Sequence, residues 1–413
     1  ARPRHQIRPL MYFGSMNVGL SNLKRAANGG PFWCAVLALF VGVIGCESSS
    51  ERHDGDMYLA SFATDPPTTV LATHSDAGWT VHNADERILL ALTAAGNHRV
   101  PVFNGSWSGS WVGEVWEGVW TDSLRPNNYQ VPVRLEPLTH AQPTSGARDT
   151  TYWDTSEGLL VLERSQDSAW ATISTPTGDY RHLAGTFVDN QLILNTFDGS
   201  HLFRFDATLR NDSLIDGQFL SGTHYRTTFD GVKRATQSHA WTSGRQNVVV
   251  DQLLFFGTNP SGQAEVWNKD RLRRNGKTGL VVDIMGTWCP NCMDEARLMV
   301  SLAGSYPNVQ FLTLGYERTT DSTALSRLSQ FKQEMRMDWP VLLGGRASKT
   351  AAAQSIPALD SIHSFPTTVF WPLEGEPVVH KGFNGPATGE GYALETAFFR
   401  SQMERLSGRS ESR

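Results

Sequence analysis

Two cysteines separated by two residues are the groups in this sequence best suited to chemistry. Cys289 and Cys292 follow the apolar run 279–285, and Pro290 stands between them. Proline fits the first position of a helix, where its missing N–H would have no partner, so a helix should begin directly after Cys289. Unpaired N–H groups and the helix dipole favour an anion there, which lowers the pKa of a thiol. The spacing therefore predicts a redox couple in which Cys289 attacks a disulfide and Cys292 resolves the mixed disulfide.

A buried strand and the helix after it are the elements that must position this pair. The β-branched residues Val281, Val282 and Ile284 suit a strand that is covered on both faces. After residue 249 the chain alternates strands with helices, which is typical of an α/β unit and, with its closing hairpin and helix, of the thioredoxin fold. The predicted strands are 309–314, 341–343, 367–371 and 377–381, and the predicted helices are 292–305, 322–335 and 391–406.

The chain before this unit has the pattern of a β-rich domain. Short alternating runs are separated by Gly, Asn and Asp turns, and the clearest hairpin joins 191–195 to 202–207. The spacing predicts a two-domain protein with an N-terminal all-β antiparallel sandwich or open barrel and a C-terminal α/β thioredoxin fold. Further strands are predicted at 88–92, 111–116, 130–135, 158–163, 169–174, 185–187 and 217–220.

Four tryptophans in this β-rich domain have two interpretations. Trp107, Trp111, Trp116 and Trp120 could form an aromatic platform for a sugar or a peptide. Glycine-flanked tryptophans also cover a sheet face or pack between sheets, and we favour this packing interpretation.

Other polar residues give no sign of a metal or cofactor site. Arg181, His182 and His201 lie near turns without a metal-ligand spacing, so we interpret them as surface or hydrogen-bonding residues. Met293 follows the second cysteine, so the Cys-x-x-Cys-His pattern of haem attachment is absent, and no second cysteine pair completes a zinc site. We expect neither a metal nor a cofactor.

The net charge of −5 over 413 residues gives no basic field that would attract nucleic acid. Near the start, Lys24 and Arg25 precede the apolar run 32–44, which suits an export signal. Val43-Ile44-Gly45-Cys46 looks like a bacterial lipobox, which predicts a lipid anchor at Cys46. A plain secretory signal or a short membrane anchor is the alternative, and each version places the body outside the cytoplasm.

These motifs divide the chain into four segments. We predict an export signal with lipobox at 1–45, a flexible tether at 46–70, the β-rich domain at 71–240 and the thioredoxin-like domain at 249–406.

Residues 249–406 resemble the TlpA/ResA-like thioredoxin family of membrane-anchored extracytoplasmic disulfide reductases. Thr287-Trp288-Cys289-Pro290-Asn291-Cys292 matches its Trp-Cys-x-x-Cys site, and Phe365-Pro366-Thr367-Thr368 matches its cis-proline loop. The β region, especially 175–181 and 197–201, is similar to an N-terminal extension found in some bacterial members.

The resemblance implies roles for individual residues. Cys289 is the attacking thiol and Cys292 the resolving thiol, while a cis Pro366 faces the disulfide and lets the backbone at Phe365 pair with a peptide. The implied substrate-binding residues are Trp288, Pro290, Phe365 and Thr367.

Two acids near the cysteines each have a functional and a structural interpretation. Glu295 occupies the position where these reductases place an active-site acid that relays protons, but the helix dipole also favours an acid there. Asp283 departs from the TlpA/ResA pattern and matches the buried acid of thioredoxin, six residues before the first cysteine. We interpret it as a base of raised pKa that takes the proton from Cys292; the alternative is a strand-end acid facing solvent or capping the turn.

The sequence thus favours a thiol-disulfide oxidoreductase. The resemblance implies that it reduces disulfides of extracytoplasmic proteins and receives electrons from an extracytoplasmic donor. A thiol peroxidase is a second possibility, although Gly286 stands where that chemistry usually places a threonine. The third is a non-enzymatic surface protein that binds a ligand through the β domain.

Overall fold

A computed structural model describes residues 55–125, 127, 129–138, 147–236, 248–249, 251 and 253–408. Cys46, the export signal 1–45 and the first part of the tether lie outside the described residues. All the described residues belong to one structural unit, Ser50–Arg413, so the bounds 71–240 and 249–406 stay predictions. Within the described residues, no helix combines the length and the apolar character needed to cross a membrane.

The first β part is a closed antiparallel barrel. Its strands are β1 (Met57–Phe62), β2 (Thr68–Ser75), β3 (Gly78–Asn83), β4 (Glu86–Leu92), β5 (His98–Arg99), β6 (Gly105–Val112), β7 (Val115–Asp122) and β8 (Tyr129–Pro137). Each strand pairs with the next, and β1 pairs with β8 to close the ring. Closure removes both sheet edges, so no edge strand is left to aggregate.

Three sequence expectations need correction in this barrel. β1 and the beginning of β2 lie within the segment predicted as a tether, where the alternating Tyr58, Ala60 and Phe62 are buried inside the barrel. The run 111–116 is the turn between β6 and β7 rather than one strand, with Gly113 at φ +63°. The sandwich or open barrel is a closed barrel here, since alternation marks a buried face but does not encode closure.

The second β part is an antiparallel sheet whose ends also meet. Its strands are β9 (Asp149–Thr155), β10 (Leu159–Ser165), β11 (Ser168–Thr175), β12 (Gly178–Asp179), β13 (Leu183–Val188), β14 (Gln191–Phe197), β15 (Leu202–Arg210), β16 (Ser213–Ser221) and β17 (Tyr225–Arg234). The strand order is β10-β9-β17-β16-β15-β14-β13-β11-β12, and a further β10–β11 pairing joins the ends. The predicted hairpin is confirmed, with Leu194 opposite Phe205 in β14 and β15.

The C-terminal part is a mixed sheet with helices. Its strands are β18 (Phe255–Thr258), β19 (Ala264–Trp267), β20 (Gly279–Met285), β21 (Val309–Glu317), β22 (Val341–Arg346), β23 (Thr367–Pro372) and β24 (Val378–Lys381). Its helices are α1 (Lys269–Arg274), α2 (Pro290–Ala303), α3 (Ser322–Glu334), α4 (Lys349–Ser355) and α5 (Glu390–Ser407). The order β19-β18-β22-β21-β20-β23-β24 places β20 inside the sheet, parallel to β21 and antiparallel to β23.

The predicted strands and helices of this part are confirmed to within a few residues. The strand–helix–strand unit of β20, α2 and β21, together with the β23–β24 hairpin and α5, is the thioredoxin arrangement. The sequence reasoning missed α1, α4 and the β18–β19 hairpin, whose short runs show neither a helical stripe nor an apolar strand pattern.

Candidate active site

The two cysteines form a disulfide at the beginning of α2. Every residue of β20 is buried, which fixes the strand that leads into the site. Cys289 is the N-cap of α2 with extended backbone angles, and Pro290 takes the first helical position. The Sγ of Cys289 accepts a hydrogen bond from the Cys292 N–H at 3.2 Å, and the Cα atoms of the two cysteines are 5.3 Å apart. Cys289 is 6% exposed and Cys292 0%, so only the first cysteine has any access to solvent.

The loop that contains Pro366 lies against Cys289. The Phe365–Pro366 peptide bond is cis, as the resemblance implied. The Sγ atom of Cys289 is 3.5 Å from the carbonyl oxygen of Phe365. The Gly382 N–H donates to the Pro366 carbonyl at 2.9 Å, which joins the loop to the chain after β24. The loop thus borders the disulfide on the side of the helix start.

Three of the four predicted substrate-binding residues surround the disulfide with partial exposure. Trp288, Pro290 and Phe365 are half-buried, and the rings of Trp288 and Phe365 meet edge to face with centroids 5.6 Å apart. Thr367 differs, because its side chain is buried and donates to the Ser364 carbonyl at 2.8 Å. That hydroxyl holds the loop together and does not reach a surface where substrate could bind.

A buried glutamate that the sequence reasoning missed holds the chain just before Cys289. One carboxylate oxygen of Glu317 accepts from the Thr287 N–H and the other from the Thr287 hydroxyl, each at 2.9 Å. Arg327 donates to the same hydroxyl at 2.9 Å, and burial raises the pKa of Glu317. The Trp288 indole N–H donates to the Tyr316 carbonyl at 3.0 Å. These bonds fix the backbone that presents Cys289.

Gly286 has a steric reason to be glycine. A Cβ atom at this position would lie 2.4 Å from Nε1 of Trp288, so the indole packs directly over the backbone.

Asp283 and Glu295 are both buried within the thioredoxin part. Asp283, 1% exposed, accepts a hydrogen bond from the Thr313 hydroxyl at 3.3 Å, so a strand-end acid facing solvent is excluded. Burial raises the pKa of its carboxyl to about 8. Glu295 is 0% exposed and accepts a hydrogen bond from the Thr368 hydroxyl. Burial and the Asp283 charge raise its pKa well above the ordinary value, so the two acids interact.

A histidine extends this polar row across the sheet. Thr368 is opposite Asp283 on one neighbouring strand and opposite His380 on the other. The His380 Nε2 lies 2.6 Å from Oε2 of Glu395, and burial lowers the pKa of the imidazole to about 4. The row therefore stays polar from β20 to α5.

The second β part contacts the residues between the two cysteines. The Asn291 side-chain amide donates to the Asp179 carbonyl at 3.2 Å, and Arg181 lies 3.4 Å from the Pro290 carbonyl oxygen. Arg181 also donates to Asp294 at 2.7 Å and to Glu86 of β4. At 5% exposure Arg181 is buried, so of its two interpretations, a surface residue or a hydrogen-bonding residue, the second is confirmed. No local pattern marks it, because its partners are far away in the sequence.

The four tryptophans pack within the first barrel. Trp107, Trp116 and Trp120 are almost fully buried, and Trp111 is half-buried against Trp79. Three of them therefore cannot form a surface platform, and the packing interpretation holds for these.

A disulfide at a helix start, a cis-proline loop against it and this strand order define a thioredoxin-like redox domain within the chain. No family model matches the chain, and neither does any curated protein. Solved structures of thiol-disulfide oxidoreductases are similar to part of it. A secreted Mycobacterium tuberculosis disulfide oxidoreductase is 17% identical, with 35% of this chain and 98% of that chain covered and a TM-score of 0.24.

Two further structures give similar values. A thioredoxin domain of a thiol-disulfide oxidoreductase from Bacteroides vulgatus is 15% identical, covering 38% of this chain and 97% of that one, with a TM-score of 0.27. A thioredoxin-family thiol:disulfide interchange protein from Chlorobium tepidum is 18% identical, covering 40% and 98%, also with a TM-score of 0.27. The assignment of the fold rests on the strand order and the helix positions of this chain.

Proposed function

We propose that this protein is a thiol-disulfide oxidoreductase that reduces disulfides of extracytoplasmic proteins. The observation that carries the proposal is the Cys289–Cys292 disulfide at the start of α2, with Sγ of Cys289 3.5 Å from the Phe365 carbonyl. The more exposed cysteine, Cys289, is at the helix N-cap, where a thiolate is stabilised, and Cys292 is fully buried.

The reaction begins from the dithiol. The Cys289 thiolate attacks one sulfur of the substrate disulfide, forming a mixed disulfide and releasing the other sulfur as a thiolate that takes up a proton. Cys292 then loses its proton and attacks Sγ of Cys289, which releases the second substrate thiol and forms the Cys289–Cys292 disulfide. Two electrons pass from the dithiol to the substrate, and an extracytoplasmic thiol donor restores the dithiol.

We assign Asp283 as the base that takes the proton from Cys292. Its buried carboxyl has a pKa of about 8, so its ionised form is a stronger base than an ordinary carboxylate. Glu295, whose pKa is also raised, is coupled to it electrostatically and serves as the second site for the same proton.

The place of action in this proposal is the cell envelope of a bacterium. The basic residues, the apolar run 32–44 and the lipobox at 43–46 support an exported protein that is held to the membrane by a lipid at Cys46. An oxidising compartment is where a disulfide reductase meets its substrates.

A trapping experiment tests this function. In a Cys292→Ser variant of the full chain, Cys289 should form mixed disulfides with oxidised protein substrates. These should accumulate and be reduced by dithiothreitol. A Cys289→Ser variant is the matched control and should trap nothing. Absence of mixed disulfides, or turnover of hydrogen peroxide by Cys289 alone, would refute a reductase in favour of a binding protein or a peroxidase.

A further inference from the structure

One turn of the second β part lies over the start of α2, the helix that carries Cys292. We call residues 175–181 the cover turn. The Asp179 carbonyl accepts from the Asn291 side chain, and its carboxylate accepts from the Gly385 N–H. A Cβ atom at Gly178 would lie 2.0 Å from Nδ2 of Asn291, so the turn and the residue between the cysteines are in direct contact.

The cover turn also meets the chain beside the cis-proline loop. A Cβ atom at Gly382, whose N–H bonds to Pro366, would lie 2.5 Å from the backbone carbon of Thr177. The turn therefore occupies the space between the start of α2 and the segment 382–385.

Buried charge fixes the cover turn in this place. Arg181 at its end bridges Glu86 of the first barrel and Asp294 of α2, and the side chains of Arg181 and Asp294 are almost entirely excluded from water. Separating this pair would leave the buried Arg181 charge uncompensated and Asp294 with only the exposed Arg297, so the position is strongly held.

The first barrel also contacts residues that border the site. Asp122, at the end of β7, pairs with Arg318 at 3.4 Å, and the Arg318 guanidinium lies over the Trp288 ring at 5.8 Å from its centroid. Asn104 accepts from Arg327 at 3.0 Å, the same arginine that bonds to Thr287. The second β part thus contacts residues next to the disulfide directly, and the first barrel reaches them through Arg318 and Arg327.

Access to Cys289 is therefore narrow. Its neighbours Trp288, Pro290 and Phe365 are partly exposed. The cover turn lies against Pro290, and Arg318 lies over the ring of Trp288. We propose that the cover turn determines which substrates reach Cys289. It admits disulfides with little bulk around the sulfurs, on small molecules or flexible peptide segments, and it excludes disulfides on the surface of rigid folded proteins. This inference rests on the proposed reductase function and names its substrate class.

The chemistry is the exchange described above with a slender partner. Oxidised glutathione, taken as the probe, receives two electrons and two protons in total and leaves as two thiols, while Cys289 and Cys292 become the disulfide.

The test compares two substrates on the prereduced full chain. The rates of formation of the Cys289–Cys292 disulfide are measured with oxidised glutathione and with insulin, by alkylation and mass spectrometry. Gly178→Ala puts an L side chain on backbone with φ +139° and places its Cβ against Asn291 and the Phe383 carbonyl, so it should displace the turn. Thr175→Val removes a hydroxyl that bonds to the Gly178 carbonyl at 2.9 Å within the turn. Gly113→Ala is the control, since it also has positive φ but an open Cβ position.

The wild type should favour glutathione, and each cover-turn variant should raise the insulin rate by on the order of tenfold while changing the glutathione rate by less than about twofold. The Gly113→Ala protein should behave as wild type. A wild type that oxidises equally fast with both substrates, or cover-turn variants that leave their ratio unchanged, would overturn the inference and leave the reductase function standing. Failure with every disulfide would instead overturn the reductase function and, with it, the inference.

Discussion

The Arg181 guanidinium donates to the Asp294 carboxylate at 2.7 Å, across 113 residues of sequence. This pair joins the second β part to the helix that carries the cysteines, and only 6% and 3% of the two side chains are exposed. Burial raises the pKa of Asp294, while the charges of Arg181 and Arg297 oppose that effect. A buried ion pair therefore holds α2 and the second β part together.

Removal of the Arg181 charge should destabilise the protein strongly. Arg181→Met keeps most of the aliphatic side chain but removes the cation that Glu86 shares with Asp294 and leaves Asp294 with only the exposed Arg297, so the free energy of unfolding should fall by about 3–5 kcal/mol. Urea unfolding of the oxidised chain measures this. Arg273→Ala is the control, because its pair with Asp270 is exposed and its loss should cost less than about 1 kcal/mol. Equal losses in the two variants would contradict a special role for the buried pair.

Asp283→Asn should change how stability depends on pH. The folded pKa of about 8 lies above the ordinary value of 3.8, so the acid's favourable contribution is complete below about pH 4 and is lost as pH rises through 8. Between about pH 5 and about pH 7 the variant should gain about 1.4 kcal/mol per pH unit relative to wild type.

Urea unfolding of the oxidised proteins at both pH values tests this, since oxidation removes the thiols from the titration. Asp189→Asn, at an exposed turn, is the control variant. A constant difference between Asp283→Asn and wild type would show that Asp283 does not titrate with a raised pKa.

The same substitution should act on one chemical step. Because we assign Asp283 to the proton of Cys292, Asp283→Asn should slow resolution by about tenfold or more and leave the attack by Cys289 nearly unchanged. Stopped-flow fluorescence with a mixed-disulfide substrate separates the two rates. Glu295→Gln provides the comparison, and a similar slowing would show that the coupled acids share the proton. Equal slowing of attack and resolution by Asp283→Asn would refute the assignment.

The reduction potential of the cysteine couple should be close to that of thioredoxin, about −270 mV, and far from the roughly −120 mV of a strong oxidant. The physical reason is that Cys292 is fully buried, which disfavours its thiolate, so the dithiol gains little stabilisation from ionisation relative to the disulfide. Equilibration of the full chain with glutathione or dithiothreitol buffers measures this potential. A value near that of the strong oxidant would reverse the proposed direction of electron flow.

The lipid anchor can be tested on the full precursor in a bacterial host. Wild-type protein should partition with membranes and take up radiolabelled palmitate, whereas Cys46→Ala should lose the label. Cys34→Ala is the matched control, because Cys34 lies in the apolar run outside the lipobox. Palmitate incorporation that persists in Cys46→Ala would refute lipidation at this cysteine.

Local sequence determined the centre of the redox site. The buried strand, the cysteine at the N-cap and the proline after it lie within 25 residues, from Gly279 to Ala303, so nearest-neighbour preferences suffice to predict them. Asp321 caps α3 as its side-chain chemistry predicts, accepting from the Thr323 N–H. The prediction of a cis peptide bond at Pro366 rested on the family resemblance rather than on the intrinsic preference of proline.

The tertiary structure decided which distant groups surround the cysteines. Alternation in β1 to β8 identifies buried residues, but it is the same in a sandwich and in a barrel, so only the β1–β8 pairing distinguishes them. Arg181 and Asp179 look like ordinary turn residues, and their burial depends on partners that the fold brings from more than 100 positions away. Local preferences act over a few residues, whereas burial, pKa and access to Cys289 depend on the packing of the whole chain.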